Sequence, residues 1–504
     1  MTSSLVAAGE GFLQILSWQF IGFLFLSVAI GSLFGLVPGL NSIIAIALFF
    51  PFIWDMDTLP AIALLVPLVT AVHTANTFPA VLFNIPGSPS SAATIIDGYP
   101  MGQKGEALRA LSAAFTASVL GGILSAFVLG LSIPLLRPFV LLFAAPERLM
   151  LIVSGIFLIS TLNKGNAIKG IIAALVGFLI ATIGMPPQVS ELRFTFGLNY
   201  FMDGIPLIPL IMGIFGVPEL IAYMGRDRNT HKLEVSRLTL SGHAQMWQGI
   251  NDTFTRLGVV IRGSIIGVVI GAIPGLGGTA AAFYSYSYEA RGKSSFGKGD
   301  VRGVIAPESA NNASQGGEMI PTLAFAVPGS AHAAVLLSAL IVVGFRPGIS
   351  ALTSQLPLTF TIVWAIILAN VIAAGLCFLF MRRLVVVTEN ANPLILAPII
   401  LLFVIIGSLT ASASYWDIFI TLVIGGIGYL MMKTEWPRAP LFVAFVLGSM
   451  AEKYFFLSYE GYGWSFMLRP INLIILLVLL LSALMPVLRR IMNQVWRRVR
   501  LGAE

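Results

Sequence analysis

The chain has 504 residues, 57% of them hydrophobic and only 10% charged, with a mean hydropathy of +0.93. Soluble globular chains carry about 25% charged residues, so this composition excludes a water-soluble domain and points to a chain that crosses a membrane many times. The net charge of +7 lies in short loops and the tail rather than in a basic domain, which argues against nucleic-acid binding, and the single Cys377 excludes an internal disulfide and disfavours a cysteine metal site.

Residues 1–17 read as a short, nearly uncharged lead. No Lys or Arg precedes Lys104, so a cleaved signal peptide is not expected and the first apolar segment inserts the chain. Trp18–Leu36 is apolar and is followed by a break at Pro38 and Gly39. Ser42–Ile53 is too short to span about 30 Å of hydrocarbon alone. After Leu59–Val72 comes a stretch at 73–105 that is rich in Pro, Gly, Ser and Asn yet apolar in its middle, as expected of a broken or re-entrant segment. Spans follow near 107–136, 149–162, 167–184 and 204–223. Residues 225–255 form a polar linker, and a second half opens at 256–273. It breaks at Pro274, passes the basic loop 291–302 and reaches a second polar stretch at 307–334. The remaining spans lie near 353–380, 384–407, 415–432, 438–450 and 463–488, and the tail is basic.

The halves echo one another. Gly31, Gly35, Pro38, Gly39 and Leu40 recur 236 residues later as Gly267, Gly271, Pro274, Gly275 and Leu276. Pro79, Phe83, Pro86, Gly87 and Ser88 recur 242 residues later as Pro321, Phe325, Pro328, Gly329 and Ser330. Placing the Lys/Arg-rich loops in the cytoplasm puts the C-terminus inside and the N-terminus outside, and runs the copies in opposite directions. Arg137 and Arg148 depart from this pattern. The expectation is an all-α polytopic membrane protein of about ten to twelve segments. Its two inverted-topology repeats, 1–224 and 256–504, flank a cytoplasmic linker at 225–255. Breaks are expected near 37–42, 76–91, 273–279 and 307–330.

Pro removes a helix donor and Gly costs about 1 kcal/mol in a helix interior, so such breaks persist at bilayer depth only where buried or lining a cavity. On propensity alone, replacing Pro274 and Gly275 by Ala favours a continuous helix by about 4 kcal/mol. Half-helix N-termini suit carboxylates, while unwound carbonyls suit Na⁺. The polar and small residues at the breaks are therefore candidate substrate ligands: Asn41, Ser42, Asn84, Gly87 and Ser88 in the first half, and Gly275, Thr279, Asn311, Asn312, Gly329 and Ser330 in the second. The helix-breaking set is Pro38, Gly39, Pro86, Pro274 and Pro328. Ser91, Glu308, Gln315 and Glu318 are candidates for ion coupling, with Na⁺ possible and its ligands unassigned. For each Ser, Gly and Asn the competing reading is close helix packing. Glu308 and Glu318 fit the water interface equally well. His73 and His332, beside the breaks, either titrate or serve as satisfied hydrogen-bonders. Tyr284–Tyr288 reads as an interfacial aromatic belt rather than a stacking platform.

No phosphate-binding loop, HExxH motif or nucleophile–His–acid spacing is present, so neither enzyme activity nor an organic cofactor is expected, and energy must come from an ion gradient or another subunit. The two Pro-Gly-Leu breaks, the stretch at 84–111 and the stretch at 307–337 resemble the large membrane subunit of the tripartite tricarboxylate transporters, over nearly the whole chain. The resemblance implies a secondary transporter that imports a tricarboxylate, dicarboxylate or aromatic carboxylate, coupled to Na⁺ or H⁺, in the bacterial inner membrane. It also implies a small membrane subunit of about four helices, an extracytoplasmic solute-binding protein, contact with membrane lipid and a possible homodimer of the complex. It carries anion- and ion-binding roles to Asn41, Asn84, Ser88, Asn311, Asn312 and Ser330 as positions in matching motifs. The rival readings are an ion or solute channel and an intramembrane enzyme using His73 or Glu318.

Overall fold

In hydrocarbon a chain must satisfy its own backbone hydrogen bonds, which leaves helices or closed barrels. The computed structural model describes residues 2–37, 40–162, 167–186, 191–224, 243–390, 393–409, 412 and 414–481. Among these the chain is helical, apart from connecting segments and one isolated antiparallel bridge between Gly184 and Arg193. Pro38, Gly39, the linker up to residue 242 and the basic tail lie outside the described residues.

The supposed lead is a helix, α1 (Thr2–Ile15). Gly11 lets it lie directly on the backbone at Pro357 and Thr361, and Trp364 donates to the Ala8 carbonyl at 3.0 Å. Then come α2 (Trp18–Leu36), the half-length α3 (Ser42–Ile53), α4 (Thr58–Ala75), α5 (Thr77–Phe83), α6 (Ala92–Gln103) and the long α7 (Ala107–Leu141). Next are α8 (Ala145–Leu162), α9 (Ala167–Ala181), α10 (Leu207–Ile211) and α11 (Val217–Met224). A π-helical turn, Met212–Gly216, joins the last two. The end of the expected polar linker is α12 (His243–Thr255), docked on α7 through Gly249 and a Thr253 hydrogen bond to the Ala113 carbonyl. It bends 71° into α13 (Leu257–Gly271). The chain continues as α14 (Gly277–Ala290), α15 (Arg302–Phe325), α16 (Ala331–Val342), α17 (Leu356–Asn390), α18 (Pro393–Leu409), α19 (Tyr415–Lys433) and α20 (Arg438–Tyr462). The sequence places a span boundary near 381–383. With no Pro or Gly between Gly375 and Pro393, α17 instead runs on to Asn390.

Six helical stretches among the described residues are long and apolar enough to cross a membrane, and the bent α12–α13 pair makes a seventh. The expectation of ten to twelve counted every apolar run. The difference lies in shorter apolar helices of 10–17 residues, including α3, α9 and α16, which by length are part-spans. The chain is an all-α, multi-pass membrane protein.

The axle of the fold is α15, buried over nearly its whole length although it carries Glu308, Asn311, Asn312, Ser314, Gln315 and Glu318. A polar helix is tolerated inside only if neighbours complete its hydrogen bonds. Thr94 donates to Glu308 at 2.5 Å, Asn312 donates to Thr74 at 2.9 Å and to Asn370 at 2.8 Å, and Thr70 donates to Gln315 at 3.0 Å. Small residues let the backbones close in. A Cβ on Gly267 would sit 2.5 Å from the Ala310 carbonyl oxygen, and one on Gly317 would sit 2.4 Å from that of Val268. The same seam joins α2 to α4, where a Cβ on Gly31 would meet the Leu68 carbonyl oxygen at 2.5 Å.

Candidate functional site

Four helix starts meet at one cavity of about 660 Å³. The first is α3, capped by Asn41, whose Oδ1 accepts from the Ile43 and Ile44 N–H groups at 3.0 and 3.2 Å. The second follows Ser88, which opens a short 3₁₀ turn (Pro89–Ser91) leading into α6. The third is α14, whose cap position, Leu276, offers no side-chain acceptor. The fourth is α16, capped by Ser330, whose Oγ accepts from the Ala333 N–H at 3.2 Å. Asn41, Ser42, Ser88, Ser90, Gly275, Thr279 and Ser330 all line the cavity, as do His73 and His332.

The local sequence accounts for the geometry. Asn84 adopts the left-handed conformation (φ 57, ψ 28) and ends α5, with the Ile85 N–H reaching back to the Pro79 carbonyl. Ala326, 242 residues on, has the same φ and ψ, ends α15 and sends the Val327 N–H to Pro321. Each turn reverses the chain so that Ser88 or Ser330 starts the next helix. Gly275 has φ +88 and lies so close to α8 that a Cβ would stand 2.7 Å from the Ile159 Cα; its N–H donates to the Gly329 carbonyl at 2.8 Å. That bond ties the two breaks of the second half together.

Not every candidate reaches the cavity wall. Asn84 is a helix terminator beyond the lining. Gly87 and Gly329 serve close approach: a Cβ at Gly87 would strike Asn76, and one at Gly329 would strike Glu318. Asn311 lies behind the lining, donating to the His73 carbonyl at 3.2 Å, and Asn312 belongs to the interhelical network. Ser91 closes the turn at Ser88, with its Oγ on the Ser88 carbonyl at 3.0 Å. Glu308 is buried against Thr94 and Ser118, and Gln315 against Thr70. Pro86 and Pro328 sit in the two breaks and Pro274 follows α13, while Pro38 and Gly39 lie outside the described residues.

Glu318 is fully buried behind the cavity floor. Its Oε2 accepts from Ser330 Oγ at 2.6 Å and lies 2.7 Å from His332 Nε2, and the His332 ring meets that of His73 edge-on at 4.8 Å. At the equivalent place in the first half, Asn76 donates to Ser88 Oγ at 2.7 Å. Of the tyrosine run, Tyr284 and Tyr288 are exposed, while Tyr286 turns inward and donates to Asp97 at 2.9 Å.

Sequence reasoning missed the opposite wall: Phe215, Glu219, Met432 and the turn Glu435–Ala439. Arg438 pairs with Glu219 at 2.8 Å and lies over the Phe215 ring. The signal was present in the rare charges of that turn, but topology absorbed it. A second cavity of about 400 Å³ lies near the Arg193–Glu452 pair, with no comparable convergence of helix starts. Among the described residues no group of three metal-ligating side chains stands together.

The sequence description "Tripartite tricarboxylate transporter TctA family" matches residues 21–443. The chain is also similar to two proteins of Agrobacterium vitis. The "Uncharacterized 52.8 kDa protein in TAR-I ttuC' 3'region" is 31% identical over 444 residues, covering 87% of this chain and 85% of the relative. The "Uncharacterized protein in TAR-II ttuC' 3'region" is 30% identical over 243 residues, covering 46% and 98%. No solved structure matches. The match across most of its length places the chain in the tripartite tricarboxylate transporter TctA family, which supplies the large membrane subunit of such systems and is a family of transporters rather than enzymes.

Proposed function

We propose that the 660 Å³ cavity is the place where the subunit holds an organic carboxylate during import driven by a Na⁺ or H⁺ gradient. The observation that carries this reading is the convergence of four helix N-termini on one space. Such starts direct N–H groups and a partial positive charge toward the space, only part of which the caps at Asn41 and Ser330 take up, a field that favours anions without a permanently buried counter-charge. The uncapped first turn of α14, Gly277–Thr279, offers the barest donors. Among the described residues Arg438, on the facing wall, is the one guanidinium in the lining. Within this reading the substrate ligands are Asn41, Ser42, Ser88, Thr279 and Ser330, and the remaining candidates support their placement.

The paired breaks favour two repeats inverted across the membrane. Gly31, Gly35, Gly267 and Gly271 all face a helix backbone, at Leu68, Val72, Ala310 and Ser314 respectively, and each facing residue keeps the 242-residue spacing to its counterpart. Paired broken helices meeting at one site are the usual plan of such carriers. The smaller membrane subunit, the extracytoplasmic binding protein and the bacterial inner membrane complete the proposal.

Titrating the purified chain with mono-, di- and tricarboxylates while following its melting temperature tests the reading. Carboxylates should raise it, and the corresponding alcohols and amines should not. Equal shifts with amines, or none with any carboxylate, overturn the anion site. A continuous conductance from the reconstituted complex would replace the carrier with a channel.

A further inference from the structure

Resting on the carboxylate reading of the cavity, we infer that Glu318, His332 and His73 form a protonation site beneath it, so that the carboxylate enters together with a proton. Glu318 and His73 are both more than nine-tenths buried. Each keeps one polar atom, Glu318 Oε1 and His73 Nδ1, without a hydrogen-bond partner among the described residues. Bare buried atoms of this kind are costly, and they persist where a site must gain or lose a partner in its working cycle. The chemistry around the carboxylate is that of proton exchange. Its partners are one imidazole and one hydroxyl, with the His73 ring edge-on behind that imidazole, whereas a hard cation such as Na⁺ demands a shell of oxygens. Ser330 Oγ links the carboxylate directly to the ligand field. It donates to Glu318, lies 3.1 Å from His332 Nδ1 and caps the α16 helix start that faces the cavity.

The charge of the cluster therefore sets the charge of the cavity floor. With Glu318 ionised and both imidazoles neutral, the floor is negative and repels a carboxylate; each proton taken up removes that repulsion. Other charged groups stand farther off. Glu219, Glu435 and Arg438 lie on the opposite wall, with Glu219 and Arg438 paired to each other. Glu308 lies ten residues away on α15, about 15 Å along the axis. Glu289 on α14 is held by Arg262 and Lys293, and Asp97 on α6 is taken by Tyr286 and the 291–301 loop. At the position equivalent to Glu318, Asn76 makes the same contact with Ser88 and cannot titrate. The carboxylate of the site comes from the second half alone, while the first half contributes the His73 ring.

Two readouts test the inference. The chain has four histidines, so ¹⁵N-imidazole spectra of the purified protein resolve His73 and His332 once each is assigned by its His→Gln variant. The two rings should titrate together, and Glu318→Gln should move both midpoints; titration indifferent to Glu318 overturns the site. In proteoliposomes of the complete complex, with radiolabelled citrate, succinate and tartrate as probes, an inward-acid gradient should drive accumulation and an imposed Na⁺ gradient should not. The affinity of the accumulated probe should rise about tenfold per unit fall in pH, the linkage of one proton. Glu318→Gln should lose this slope and Glu318→Asp should retain part of it. Accumulation driven by Na⁺ and insensitive to pH overturns the proton coupling while leaving the carboxylate cavity standing. Failure of every carboxylate to bind, with the coupled titration intact, removes the cavity reading instead.

Discussion

At the residue scale Asn41 does two jobs that substitution separates. Its Oδ1 caps α3, and its position exposes it to the cavity. Asp caps a helix as well as Asn does, whereas Ala costs about 1 kcal/mol. Asn41→Asp should therefore keep the melting temperature while placing a negative charge beside the bound carboxylate, weakening binding tenfold or more. Asn41→Ala should lower the melting temperature with a smaller loss of affinity. Measuring both quantities on both variants checks the division. Gly275 shows how the sequence misleads. Propensity says that Ala there mends a broken helix, but φ +88 and the Ile159 Cα at 2.7 Å reverse the sign. Gly275→Ala should cost roughly 2 kcal/mol or more, from left-handed strain and overpacking. Gly375→Ala, mid-helix with nothing within 4 Å, should instead stabilise by up to about 1 kcal/mol. Paired thermal melts decide this.

At the scale of elements, the breaks were legible because Pro and Gly stand side by side there and recur at a fixed spacing, and Asn or Ser beside them marks a cap. Their partners were not. Nothing local announces that Asn84 ends a helix in the same conformation as Ala326, or that the turn at 434–439 faces the breaks. Those facts depend on chirality and on long-range packing. In the sequence the loop between α14 and α15 shows only its basic charge. In the structure it is latched: Asp97 Oδ1 accepts the Gly299 and Asp300 N–H groups at 2.8 and 2.9 Å, and Arg302 holds Asp300. Asp97→Ala should release the loop and speed trypsin cleavage at Lys293 and Lys298 severalfold. Burial pushes the Asp300 carboxyl upward, but its bonds to Arg302 and Ser295 outweigh this and bring it from 3.8 to about 2. A lowered value means that the Asp300–Arg302 pair is fully engaged above about pH 4 and is lost as pH falls through about 2. Pepsin cleavage of the loop should therefore rise across that window in the wild type.

For the whole molecule, charge counting assigns the 291–302 loop to the cytoplasm. Cys377 is buried, so a Ser294→Cys variant carries a single accessible thiol among the described residues. It should resist a membrane-impermeant maleimide in intact cells and react in inverted vesicles. Labelling in intact cells reverses the orientation of every helix. Composition and the doubled motifs announced a multi-pass helical membrane protein with interrupted spans, because hydropathy and Pro-Gly spacing are one-dimensional quantities. The cavity is not one-dimensional. It needs side chains from positions 41 to 439 brought to one place, and no spacing rule encodes that.

The glycine seams have a mechanical consequence. Where backbone rests on backbone, as at Gly31 on Leu68 and Gly267 on Ala310, no intervening side chain can swivel to absorb displacement. The pairs α2–α4 and α13–α15 are therefore stiff struts. Strain applied to either strut should be passed on more than absorbed within it. It is taken up where walls of different origin face each other across open space, between the helix starts at Asn41, Gly277 and Ser330 and the turn at Glu435–Arg438. The width of that gap is the coordinate expected to yield first.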